Sequence, residues 1–466
     1  MKVRTALVTT GLLAAVALSF WDDSGIMLPR AAASTALQDE SDTSRFEVWI
    51  ADQSDTRLSF GGQLLIFEGS DLMGKAAASA TPVLRIDLGA KTADLCRAAT
   101  GRNPVRPHMI LFNQEHTHAI VSFVASGHVV IFDAETRTPL SCFETTVSEV
   151  TKTRQAHAAF PAADGSYLLV ANQNGKRLER IDTNFATNSF VHNAAATLDL
   201  ATCTTPSGQP CEHQDRRPIN WPICPIIDSS SRYGFVTLRG GGMFVVDARA
   251  TPMAIIGEYD KMTVHGNGCG GVQVGDRMYI NSGGSPVNVS SSDPHHAALY
   301  GFDVYRFPLT GYSASNPPNT PAPTLMFSKG GAADSHGIAS AGRGRYLWVM
   351  DRHGDVAEII DVATARLVNT VSLNGPLTDN AAPDLVDAAP SGNRLFVALR
   401  GPVPLSGDPH NAIGSTPGLG VIQLTEAGRN GSLMSIVRIT NPDQQGTQQP
   451  DPHGLRVRLK HGAGVF

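Results

Sequence analysis

The sequence predicts an all-β fold: one closed ring of seven small sheets, with the two chain ends sharing a sheet. Three observations predict it. A unit of strand, polar turn and second strand recurs along the chain. The strands are short, rich in Val, Ile, Phe and Tyr, and bounded by Gly, Asn, Asp and Pro, which is the composition of β structure. Each chain end supplies only part of a repeat. Together these describe a seven-bladed β-propeller, an architecture that leaves only short, protected sheet edges.

The repeat is visible in four copies. They read HMILFNQEHTHAIVSFVASGHVVIFDAET from His108, HAAFPAADGSYLLVANQNGKRLERIDTN from His157, CPIIDSSSRYGFVTLRGGGMFVVDARA from Cys224 and HGIASAGRGRYLWVMDRHGDVAEIIDVAT from His336. The second strand is expected to close on Asp133, Asp182, Asp247, Asp303 and Asp361, with Glu68 and Gln423 in the other two copies. Asp at a strand end suits a turn in which its carboxylate accepts from backbone amides further on. His108 to Asp133, His157 to Asp182 and His336 to Asp361 each span 25 positions. Two copies carry insertions, NVSSSDPHHAAL after Asn288 and GPVPLSGDPHNAIGSTPG after Arg400. No long segment of 3.6-residue period is seen beyond the N-terminus. PDPHGLRVRLKHGAGVF at the C-terminus supplies a first strand, and RFEVWIADQSDTRLSFGGQLLIFEGSD near the N-terminus supplies later ones. Joined, they complete one four-stranded blade and close the ring.

The segment Asp164-Gly165-Ser166-Tyr167-Leu168-Leu169-Val170-Ala171-Asn172 resembles the core of YVTN-type propeller repeats. That resemblance implies a seven-bladed propeller over nearly the whole mature chain. It does not imply one activity, since the architecture hosts lactonases, dehydrogenase subunits, copper enzymes and binding modules.

Three regions are expected: a signal peptide over 1–33, a polar lead-in over 34–44, and the propeller over 45–466. Lys2 and Arg4 precede an apolar run from Ala6 to Phe20, with small residues Ala31, Ala32 and Ala33 offering a cleavage site, the pattern of a secretory leader. An uncleaved anchor is the alternative, although the run is short for a membrane span. A periplasmic or secreted monomer is therefore expected. Net charge is −5 with no basic stripe, so nucleic-acid binding has no electrostatic support. The 45 Gly and 29 Pro suit a turn-rich β protein. Six cysteines in an exported chain imply disulfides. Cys203 and Cys211 bracket a compact loop, and Cys96 and Cys142 form a further candidate pair. Cys224 and Cys269 have two competing readings, disulfide or metal thiolates, and export favours the first.

The repeats place one metal-ligand residue type at the same address in every copy: His108, His157, Cys224, Cys269, His336, Asp384 and His453. Each is read as standing just before an apolar strand. In a closed ring these side chains converge on one mouth of the central channel. The loop between a blade's second and third strands opens on the same face. It carries His353, and in the insertions His295, His296 and His410, as candidate lid or outer-shell residues. His265, four residues before Cys269, is a reserve ligand. Asp-Pro-His occurs at Asp293, Asp408 and Asp451, where the Asp can accept the second N–H of an imidazole. A single such histidine is more often a residue bonding a neighbouring backbone; four in register bring a shared binding role level with that reading. Imidazole suits copper, zinc, iron and nickel, thiolate suits Cu(I) and zinc, and carboxylate adds a hard ligand.

At these positions the ring is similar to the histidine-lined copper site of nitrous-oxide reductases, a site at one end of a seven-bladed propeller. Thiol-oxidising copper propellers related to selenium-binding proteins are a looser comparison. The resemblance implies copper and an oxidoreductase, with zinc or calcium as other ions and Asp384 as ligand or base. Here two cysteines and Asp384 replace histidines, and no cupredoxin-like domain follows. Two other functions compete. One is a non-catalytic propeller that recognises a small ligand, a glycan or an extracytoplasmic protein. The other is a lactonase-like hydrolase with an ion in the channel, for which Asn267 and Asn380 add donors.

Overall fold

The computed structural model describes residues 45–460 apart from Lys75, Asn267, 284–300 and 406–411. The leader and lead-in expected over 1–44 lie outside the described residues, as do His295, His296, His410 and Asn267.

Seven antiparallel sheets form the ring, six of four strands and one of five. Blade 1 runs from its inner strand Pro107–Phe112 through His118–Phe123 and His128–Asp133 to Pro139–Glu144. Blades 2 to 6 repeat that order from inner strands Ala156–Pro161, Pro222–Ile227, Gly271–Val274, Ser335–Ala341 and Pro383–Ala388. Blade 7 is composite. The C-terminal strand Pro452–Leu459 pairs antiparallel with Phe46–Asp52, followed by Gln63–Glu68 and Leu84–Asp87. The chain ends therefore close the ring as the partial repeats imply.

Each blade is covered on both faces by its neighbours, so its middle strands are buried throughout. Tyr167–Asn172 and Tyr346–Asp351 have no exposed position. Burial on both faces removes the pressure for strict alternation, which is why YLLVAN and YLWVMD read as continuous apolar runs. Trp49 and Trp348 are fully buried between blades. The glycine run after Arg239 forms the turn into Met243–Asp247, with Gly241 and Gly242 at φ of 96° and 83°, a region that side chains other than glycine rarely enter.

The strand-end acids divide into two groups. Asp133 accepts from the amides of Glu135 and Thr136 at 2.9 and 2.7 Å, and Asp361 from Ala363 and Thr364 at 3.1 and 2.9 Å, as expected of Asx turns. Asp182 instead accepts from Arg180 and Asn193 side chains. Asp303 does not end a strand: it lies near the start of Phe302–Pro308, opposite Ser282. The preceding insertion hides where that strand begins, and the strand-end address falls five positions on, at Pro308 opposite Arg277.

A helix over Leu88–Thr100 also departs from the all-strand expectation. Asp87 caps its start by accepting from the Ala90 amide, and Gly101 ends it at a φ of 82°. Its buried face, Leu88, Gly89, Thr92 and Cys96, carries too few large apolar residues to stand out from the strands around it. The helix is fastened to the outer strand of blade 1 by Cys96–Cys142. Cys203–Cys211 closes the loop between blades 2 and 3.

Candidate active site at the channel mouth

The seven ring residues sit at one level of the channel, within or just ahead of the inner strands. His108, His157, Cys224, His336, Asp384 and His453 lie inside those strands, not before them. In each of these six blades the register between inner and second strand shifts at the ring residue, for example between Pro107 and Met109 and between Ala156 and Ala158. Such a bulge frees one residue from the ladder and re-aims its side chain, here into the channel. Cys269 lies two residues ahead of Gly271–Val274.

Three ring residues are followed by glycine, and each glycine is a close approach. A Cβ on Gly337 would stand 2.2 Å from the Asp384 carbonyl oxygen, one on Gly454 2.5 Å from that of His108, and one on Gly270 2.4 Å from that of His336. The inner strands thus press on one another directly at the ring.

The four histidines meet. His108 Nε2 lies 3.3 Å from His157 Nε2. The His108 and His453 rings stack at 3.9 Å, and His336 stands 4.9 Å from His453 and 6.4 Å from His108 between centroids. Three of the four tie up their Nδ1. His336 Nδ1 bonds Asp384 at 2.5 Å, His453 Nδ1 bonds the His108 carbonyl at 2.9 Å, and His108 Nδ1 faces Gln53 Oε1 at 3.2 Å. The Gln53 amide is oriented by its Nε2 donating to Asp451. A neutral imidazole that donates from Nδ1 keeps its lone pair on Nε2, so these three present Nε2 lone pairs.

Asp384 is fully buried and accepts from Arg400 at 2.7 Å, Arg352 at 3.1 Å and His336. Arg400 is held in turn by Asp451 at 2.6 and 2.8 Å, and Arg352 by Asp334 at 2.9 and 2.6 Å. Burial alone raises the Asp384 carboxyl, but the Arg352 guanidinium and the hydrogen bond from His336 outweigh it and hold the group well below the usual carboxylate range. Burial pushes the His108 and His453 imidazoles well below their ordinary value. It pushes His157 down to about 3, helped by His336 and Arg239.

This sets a pH dependence with a definite sign. An unfolded imidazole titrates near 6.5, whereas His157 stays neutral in the fold down to about 3. Its contribution to stability is therefore complete above about pH 6.5 and is lost as pH falls toward 3. Thermal midpoints compared between pH 7.5 and pH 5 should fall less in His157→Gln than in the unmutated protein. Equal slopes would contradict the assignment.

Not every expected residue joins the cluster. Cys224 and Cys269 are bonded to each other as a disulfide, so they are not thiolate ligands in this structure. His265 is ion-paired through Nδ1 to Asp303, with about a third of its side chain exposed. The misplacement of Asp303 in the repeat concealed that partner. His353 lies exposed in its turn, and it is the preceding Arg352 that reaches the ring. Asp451, expected to orient an imidazole, binds Arg400, while Asp384 takes the orienting role. Held by three partners at a depressed pKa, Asp384 is also poorly suited to act as a base.

Gln53, Arg352 and Arg400 were missed, although a signal existed. Each stands one residue beyond its blade's second strand, as do Gln173 and Arg239. They form a second column in the same repeat alignment.

No family model matches the chain, and no curated protein matches it. Solved structures do. A proposed 6-phosphogluconolactonase of Bacteroides fragilis matches with a TM-score of 0.55 at 12% identity, covering 90% of this chain and 99% of its own. A hypothetical selenium-binding protein of Sulfolobus tokodaii matches with a TM-score of 0.56 at 10% identity, covering 89% and 93%. A proposed 6-phosphogluconolactonase of Bacteroides uniformis matches with a TM-score of 0.50 at 14% identity, covering 89% and 99%. At these identities the likeness is one of fold.

Proposed function

We propose that the chain is a metal-dependent hydrolase of the lactonase kind, with an ion held by imidazoles at the channel mouth. One observation carries the reading: His108, His336 and His453 each commit Nδ1 to a protein acceptor, which leaves the Nε2 lone pair for a ligand, and their rings lie 3.9–6.4 Å apart between centroids. Metal-binding histidines use the same arrangement, the second nitrogen fixing tautomer and ring orientation. The spacing agrees. Two nitrogens at about 2.0–2.1 Å from one tetrahedral ion stand roughly 3.3–3.4 Å apart, and His108 and His157 Nε2 are 3.3 Å apart. The carboxylate of Asp384 and the nitrogens of His336 and His453 also lie within 4.8 Å of one another.

The donor set supports the hydrolytic chemistry. With Cys224 and Cys269 bonded, imidazole and carboxylate remain, a set suited to zinc and similar divalent ions and without the thiolates that favour Cu(I). Such an ion polarises a carbonyl oxygen and makes bound water acidic. Asp384 orients His336, the two arginines anchor Asp384, and the cluster excludes bulk water, with the four histidines 2, 7, 6 and 1% exposed in chain order. Proposed lactonases on the same architecture support the hydrolytic reading. The copper oxidoreductase is the second reading, favoured by the number of imidazoles. Three disulfides fit an oxidising compartment outside the cytoplasm, and among the described residues no helix is long and apolar enough to cross a membrane. We place the protein, as a monomer, in the periplasm or secreted.

The test is elemental analysis of untagged protein together with hydrolysis of γ- and δ-lactones. One zinc-like ion per chain is expected, with hydrolysis abolished by a chelator and restored by the ion. Bound copper with thiol oxidation would favour the second reading. Metal-free protein that hydrolyses nothing would leave a binding propeller.

A further inference from the structure

We propose that Cys224 and Cys269, once reduced, form with His157 a second metal site that takes a soft ion, so that this disulfide decides which donor set His157 serves. The other two disulfides have a fastening role: one ties a helix to an outer strand, the other closes a loop. Cys224–Cys269 instead lies in the ring itself, joining the inner strand of blade 3 to the segment just ahead of that of blade 4. Those blades are already joined there, since the Thr237 hydroxyl donates to the Gly268 carbonyl at 2.6 Å and both cysteines sit in a shared apolar cluster. The two sulfurs and a ring nitrogen of His157 lie within 4.8 Å of one another, all buried. His157 Nε2 also reaches His108 Nε2 at 3.3 Å. His157 thus stands between an imidazole group and a sulfur pair.

The step balances with a small dithiol as reductant. Its two thiols become a disulfide as the Cys224–Cys269 bond breaks, leaving two protein thiols. Binding of a divalent ion then displaces their two protons, because the thiolate is the ligand. Two thiolates and one imidazole favour a softer ion than imidazole and carboxylate do, and three protein ligands leave a coordination position open.

The experiment uses the whole protein, reduced anaerobically with a dithiol, freed of it, and titrated with Co²⁺. A thiolate-to-cobalt absorption band is expected at one ion per chain, absent from oxidised protein and from Cys224→Ser/Cys269→Ser. His157→Ala should weaken Co²⁺ binding at least about tenfold. Alkylation with mass mapping shows which cysteines opened, and serves if the double variant does not fold. The proposal is overturned if no band forms, if the double-serine variant keeps the band, or if Cys224–Cys269 opens only when circular dichroism shows unfolding. Zinc binding to oxidised protein tests the imidazole site separately, so the two can fail independently.

Discussion

Replacing Asp384 by Asn is expected to cost about 3–5 kcal/mol of stability, the usual penalty for removing one partner from a buried ion pair. Asp384 accepts from both Arg400 and Arg352 as well as His336, all buried. Asparagine fills the same space but removes the charge. Each arginine keeps one carboxylate, Asp451 or Asp334, yet the charge between them is gone and cannot be replaced by water in a closed site. Urea unfolding followed by tryptophan fluorescence measures the loss. A change below about 1 kcal/mol would show that the arginines are compensated without Asp384. Where the variant folds, metal affinity should also drop about 10–100-fold, the usual effect of losing the group that orients a ligand histidine.

The double substitution His108→Ala/His336→Ala should abolish metal binding, or weaken it by more than the roughly hundredfold upper range for outer partners. These residues come from blades 1 and 5 and contribute two of the three oriented Nε2 atoms. Asp384 keeps its arginines in this variant, so the ring should survive, and circular dichroism checks that it does. His265→Ala and His353→Ala are the matched controls. One is paired with Asp303 and the other is exposed, so both should bind the ion within about twofold of the unmutated protein. Zinc titration with a competing chelator reads all three. Equal affinity in all of them would remove the imidazole site.

The two columns of the repeat show what a linear reading catches. His108, His157, His336 and His453 were legible because each copy keeps a ligand residue at a fixed distance from a strand pattern. Arg352 and Arg400 are equally periodic but carry no such mark, because an arginine after a strand resembles a solvated turn residue. His265 was placed near the ring by its closeness to Cys269 in the chain. Its partner Asp303 was invisible because an insertion displaced the strand that carries it.

By itself the sequence determined the closed ring of seven blades, the strand that seals it, and the level at which the candidate site lies. Those follow from local strand patterning and from spacing, both of which are written along the chain. Only the tertiary structure decided what the ring residues are. It joined Cys224 to Cys269, made Asp384 a positioning carboxylate, and fixed which imidazole nitrogen of His108, His336 and His453 is taken by a protein partner. The reason is physical: a histidine's tautomer is set by the partner of its other nitrogen. Here those partners come from other blades, His108 lying 345 positions from His453, and Gln53 398 positions from the Asp451 that orients it.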